Sequence, residues 1–255
     1  MNMPDPEETR EVQGNTPATV VNREGERPAK RIKTGFRDTI IVLIGASEIK
    51  YILHEHLVCP TSDFFRCICN GDQEDSSGHT VRLPEATEEI FEIYSSFIYT
   101  RTLDARGEDD SSVLCLEYNR SLTTDVKTQL FNLAIQAYAF GKKMQDAAFR
   151  NAMCEEAKLI MRGCEHVGFP ENIHTLCKEV SMSSKLTRLF VDWFICASYR
   201  ENKLDELLEK VPAEFVRTVA SLSIRERKQP YVERLPKSRG KCFYHDHKSE
   251  ADKSK

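Results

Sequence analysis

The chain has 255 residues, 40% of them apolar and 30% charged, and a net charge of −4. These values fit a soluble intracellular protein with a proper core and exclude a polycation that holds nucleic acid through bulk charge. No run of about 18 apolar residues occurs, so no membrane span is predicted, and the opening MNMPDPEETREVQGN lacks the apolar segment of a secretory leader.

Residues 1–35 have no hydrophobic periodicity and are expected to be disordered. They carry a basic cluster, RPAKRIK, whose Lys30, Arg31 and Lys33 match a short nuclear-import signal. TIIVLIG (39–45) reads as a strand. EIKYIL (48–53) reads as its hairpin partner, with Ile49, Tyr51 and Leu53 on one face and Lys50 and Ile52 on the other. HEHLVC (54–59) is one helical turn stopped by Pro60, and Thr61 or Ser62 can cap the helix that follows. Phe64, Phe65 and Ile68 give that helix an apolar side.

HTVRLP (79–84) is a short strand, and Thr87 caps a helix over 88–99. Residues 100–123 are polar and irregular and read as an insertion. Val126, Leu130, Leu133, Ala134, Ala137 and Tyr138 mark one face of a long helix over 125–144. Asp146 caps the next helix, which runs to Arg162, and Gly163 closes it. Three more helices are predicted over 183–199, 202–210 and 212–222, the last with Pro212 at its first position. Phe190, Trp193 and Phe194 on the first of these are expected to pack on the preceding helices. From 225 onward the chain is polar and basic and is expected to be a disordered tail. Early strands followed by segregated helices predict an α+β fold.

Nine cysteines, an odd number with no CxxC pair, read as small buried hydrophobes in a reducing compartment. Two histidines and three cysteines fall within 54–69, but both pairs are two residues apart, which is poor spacing for zinc. No GxSxG, HExxH, P-loop or dinucleotide fingerprint occurs, so no enzyme activity is expected. No cofactor is expected either. The one metal candidate is Cys242, His245 and His247 in the tail, which supplies three of the four ligands of a closed zinc site.

Taken together, TIIVLIG, YILHEHLVCPTSDFFRCI, VRLPEATEEIFEIYSSFIYT and LFNLAIQAYAFGKKMQDAAFRNAM resemble a BTB/POZ domain over residues 36–163. The features that carry the resemblance are His54, Leu57, Ser62, Phe65, Leu83-Pro84 and Tyr99-Thr100. The chain is similar to the fungal type of this family in its polar head, acidic insertion, helical region at 164–224 and Cys-x-x-His-x-His tail. The resemblance implies a small sheet with a hairpin, flanked by a helical bundle. It implies a non-enzymatic module that pairs with itself or another BTB protein, and a possible role as substrate adaptor for a cullin-type ubiquitin ligase. Self-pairing would involve Phe36, Ile41, Leu57 and Val58, and a cullin would contact Phe64, Phe65 and Ile68. The rebuilt loop at 100–123 and the poor match of Cys115-Leu116-Glu117 to the family's Φ-x-E contact speak against a cullin. The alternative is a nuclear regulatory scaffold without one. Localisation is expected in the nucleus, the cytoplasm or both, with nucleic acid and membrane not among the partners.

Overall fold

The computed structural model describes residues 38–70, 79–101, 123–162, 170–201, 204–226, 236–240 and 242–247. Strands β1 (Thr39–Ile44) and β2 (Ile49–His54) form an antiparallel hairpin. Gly45 at φ +69° and Glu48 at φ +49° make the reversal, the first where a side chain would strain the backbone. Strand β3 (His79–Leu83) lies parallel to β1 on its other side, so the sheet order is β2-β1-β3. The parallel pairing requires a crossover between β2 and β3. Two short helices, α1 (Glu55–Val58) and α2 (Asp63–Asn70), lie on that path.

The sheet's two faces follow from strand alternation. Ile40, Val42 and Ile44 of β1 are buried, as are Leu53 of β2 and Val81 and Leu83 of β3. The opposite face carries Ile41 across from Ile52 and Thr80 in register, then Leu43 across from Lys50 and Arg82.

Helices α3 (Glu88–Thr100), α4 (Thr124–Lys143) and α5 (Ala147–Arg162) close over the buried face. Thr87, Ser62 and Asp146 cap as the sequence predicts, and Thr123 is a cap not expected from the sequence. Thr87 accepts from the Ile90 amide at 3.4 Å, and Thr123 from Val126 at 3.4 Å. Ser62 caps α2 through the Phe65 amide at 3.2 Å, and Asp146 caps α5 through the Phe149 amide at 3.0 Å. These last two caps are fully buried and adjacent. Ser62 donates to the Met144 carbonyl at 2.6 Å, and the Tyr94 hydroxyl donates to Asp146 at 3.3 Å. Every polar group at this junction therefore has a partner, as burial demands. Around it pack Phe65, Tyr94, Phe140 and Phe149, with Tyr94 ring contacts of 4.9 to 6.4 Å. The turn between α4 and α5 is tight. A Cβ on Gly141 would stand 2.8 Å from the Phe149 ring.

Helices α6 (Pro170–Glu179), α7 (Lys185–Glu201), α8 (Leu204–Glu209) and α9 (Ala213–Arg225) extend the same core. Phe190 and Trp193 of α7 meet Phe131 of α4 at 5.7 and 5.9 Å, and Phe194 meets Phe215 of α9 at 5.5 Å. Asn172 of α6 donates to the Thr128 carbonyl and to Asn132 on α4, at 2.9 and 2.8 Å. The C-terminal helices are thus one body with the strand-bearing part, not an appended region.

Four readings are corrected. Helix α6 was not expected, although Pro170 opens it and Ile173, Leu176 and Cys177 mark its inner side. Pro212 is the N-cap of α9 and not its first residue. His54, which the resemblance has capping or bracing the helix that follows, makes no side-chain cap to α1 and lies 2.8 Å from the Tyr99 hydroxyl. The described residues of the tail are not disordered. Arg225 still belongs to α9, and residues 236–240 and 242–247 return to the helices, with a 3-10 turn at Pro236–Ser238 and Tyr244 fully buried. Overall basicity concealed the Phe243-Tyr244 pair, whose apolar area is buried or half-buried where the segment docks. Lys30, Arg31, Lys33, Phe36, the residues 102–122 of the insertion, Gly163 and Cys115-Leu116-Glu117 lie outside the described residues.

Candidate functional site

The outward face of the hairpin is the first candidate. Ile52 is 53% exposed on this face, on a strand whose outer edge meets no other strand among the described residues; Ile49, in the opposite phase beside the turn, is 37% exposed. Ile41, half-buried, stands opposite Ile52 in register. Tyr99, at the end of α3 and 46% exposed, reaches this edge. Its hydroxyl lies 2.8 Å from His54 Nδ1 and donates to the Ile52 carbonyl at 3.4 Å. The His54 ring also meets His56 edge-on at 5.7 Å. Arg101, with positive φ at the C-cap of α3, donates to the Leu57 carbonyl and to Thr61. The end of α3 is thereby tied to α1, and Ile41, Ile52, Leu57 and Tyr99 sit on linked elements.

Two of the predicted partner-binding residues are not available at a surface. Val58 and Phe65 are fully buried, since each is the inward residue of a short helix that spans the gap between sheet and α3. Ile41, Leu57, Phe64 and Ile68 remain half-buried. The structure adds Ile52 and Tyr99. The sequence signal for Ile52 was an isoleucine in the polar phase of an alternating strand, between Lys50 and His54.

Burial and hydrogen bonding push the Tyr51 hydroxyl up to about 12, with Glu88 accepting its proton at 3.2 Å. The sulfurs of Cys59 and Cys69 lie 2.8 Å apart, and burial raises both thiols. Cys67 is exposed. The cysteines of this stretch therefore do not converge on one point.

The second candidate is the docked C-terminal segment. Asp192 of α7 is 2% exposed and receives Arg188 Nε at 3.1 and 3.0 Å, the Tyr244 hydroxyl at 2.7 Å and Arg239 at 3.5 Å. Glu226 pairs with both arginines, at 2.6 Å for Arg239. Burial would raise Glu226, but the hydrogen bonds from Arg188 and Arg239 outweigh it and hold the carboxyl below its ordinary range. The Arg239 guanidinium lies over the Phe243 ring at 4.6 Å. Beyond this network Cys242, His245 and His247 converge, with one donor atom of each within 4.8 Å of the others. No equivalent grouping occurs elsewhere among the described residues.

No protein-family model matches this chain, and no curated protein matches it. No helix among the described residues is long and apolar enough to cross a membrane.

Proposed function

We propose that this chain is a non-enzymatic protein-interaction module of the BTB/POZ type that pairs with a second copy of itself or with another such domain. The observation that carries this reading is Ile52, more than half exposed on an edge strand and in register with Ile41. An edge strand presents unpaired backbone groups, and proteins that keep one soluble usually place charge on it. Here the edge carries one charge, Lys50, beside the exposed Ile52, and the isoleucine is flanked by Leu57 and Tyr99. Covering the exposed half of Ile52 contributes on the order of 1 kcal/mol, and neighbouring half-buried groups add to it. The mixed sheet with its hairpin, crossover helices and following helical hairpin is the arrangement that the resemblance implies.

Within this reading the cullin-adaptor role is the less supported branch. Phe65, central to the surface that a cullin would use, is fully buried, and Phe64 and Ile68 are half-buried. A self-pairing regulatory scaffold uses the hairpin face instead, and Lys30, Arg31 and Lys33 would supply nuclear import.

Sedimentation equilibrium of the full chain tests the proposal. The chain is expected to dimerise at micromolar concentration, and Ile52→Lys, a surface change, is expected to yield a monomer with unchanged circular dichroism. A wild-type monomer at the highest soluble concentration contradicts self-pairing. Calorimetric titration with a cullin N-terminal domain separates the branches, since a micromolar Kd, about −8 kcal/mol, supports the adaptor role.

A further inference from the structure

Two backbone hydrogen bonds fold the chain back on itself around Cys242. The Phe243 amide donates to the Gly240 carbonyl at 2.9 Å, and the His245 amide donates to the Cys242 carbonyl at 3.1 Å. Two successive tight turns therefore bring Cys242 and His245 together. The next residues alternate. Tyr244 and Asp246 turn to the protein, Tyr244 onto Asp192, and Asp246 onto Asn151 through two bonds of 2.7 and 2.9 Å and onto Arg150 at 3.2 Å. His245 and His247 are the residues between and after them, and their rings lie 6.1 Å apart. Residues 244 and 246 thus fix the backbone on which the two imidazoles stand.

The chemistry of the three side chains is specific. Each imidazole offers a lone pair and Cys242 offers a thiol that can lose its proton to a metal. His245 Nε2 is 2.8 Å from Glu155 Oε1, and Lys158 holds that carboxylate at 2.9 and 3.0 Å. A carboxylate on one ring nitrogen sets the tautomer and leaves the other nitrogen, here Nδ1, as the donor to a metal. His247 Nε2 is buried and has no hydrogen-bond partner. A buried polar atom without a partner costs stability, and a metal at this point would satisfy it.

We propose that Cys242, His245 and His247 bind a divalent ion of the zinc type, which locks the C-terminal segment onto α5 and α7. One thiolate and two imidazoles suit zinc over magnesium or calcium, which take oxygen ligands. At zinc bond lengths a tetrahedral set places its donors about 3.3–3.6 Å apart. The present separations, all within 4.8 Å, need closure of on the order of 1 Å by side-chain rotation. Water completes the fourth position. Binding follows M²⁺ + Cys–SH → M–S–Cys⁺ + H⁺, with no redox change. Glu155 is a positioning residue that acts through His245. The site is independent of the hairpin face and of the pairing proposed for it.

The test is metal analysis of the full chain, purified without added metal or chelator, followed by cobalt(II) titration of the apo-protein. About one zinc per chain is expected, with cobalt giving a thiolate charge-transfer band and the intense visible bands of a tetrahedral ion. Cys242→Ser should abolish the charge-transfer band, His247→Gln should weaken binding, and Glu155→Gln should weaken it about 10–100-fold. Should either ligand variant misfold by circular dichroism, the wild-type cobalt spectrum still decides. Absence of stoichiometric metal together with no tetrahedral cobalt spectrum overturns the proposal, as does full metal retention in well-folded Cys242→Ser. Stoichiometric copper in place of zinc that is lost in the same variants upholds the site and overturns the zinc assignment.

Discussion

Two stretches of this chain combine cysteine with histidine, and they fold to opposite ends. In 54–69 the side chains separate. His54 at the end of β2 goes to Tyr99, Cys59 and Cys69 face each other, and Cys67 faces solvent. In 242–247 the donors of Cys242, His245 and His247 come within 4.8 Å. Both stretches offer two histidines and at least one cysteine, and the difference lies in the backbone. On helix α2, residues two apart diverge by about 200° around the axis, which parts Cys67 from Cys69. The C-terminal segment has no regular element, and its two turns and an alternating run gather the donors instead. Ligand residue types in a sequence become a site only where the local backbone aims them together.

The largest expected effect tests the architectural role of the first stretch. Phe65 is fully buried against Tyr94 and Phe64. Phe65→Ala should cost about 3–5 kcal/mol in urea unfolding. A loss below about 1 kcal/mol would mean that α2 is a surface element, as the partner-binding reading from sequence had it. Next in size is the C-terminal segment. Tyr244→Phe removes only the hydroxyl that donates to Asp192 at 2.7 Å, so about 1.5–3 kcal/mol should be lost. No loss would mean that the bond from Tyr244 to Asp192 does not contribute to folding.

A smaller effect is expected from acid. Glu226 has a folded-state pKa below its ordinary 4.5. It faces Arg188 and Arg239, with Asp192 on the other side of the same arginines. A depressed carboxyl contributes stability in full above the unfolded-state value, and that contribution is lost as pH falls through the folded-state value. The urea midpoint should therefore fall on acidification below pH 4.5, and Glu226→Gln should flatten part of that slope. An unchanged slope in the variant would remove Glu226 from the network. The smallest effect is one of order. Burial raises the thiols of Cys59 and Cys69, and the thiolate is the nucleophile. Alkylation followed by peptide mapping should find Cys67 modified first, and equal rates at all three would show the Cys59–Cys69 pair to be open.

Much of the fold was legible because its signals are local. Gly45 at the hairpin, Thr87, Ser62 and Asp146 as caps, and the stripe from Leu130 to Tyr138 each state their element within a few residues. Helix α6 was missed because its stripe spans only ten residues and follows an irregular stretch. The resemblance puts Phe65 in the core as well as at a partner surface, and the structure keeps only the first role; the burial of Val58 was hidden because a one-turn helix does not declare which body its apolar side meets. Asp192 carries no local signal in the sequence. Its partners Arg239 and Tyr244 lie some fifty residues on, beyond what periodicity can pair. The docked tail was hidden for the same reason.

Concentration-dependent hydrogen exchange of the full chain tests the central claim most directly, because it reports where two copies meet. If the hairpin face is the pairing surface, amides of β2 and α1, residues 49–58, gain protection as concentration rises, while α9 and the 242–247 segment do not change. Protection that stays constant across 49–58, or rises only elsewhere, would contradict the account.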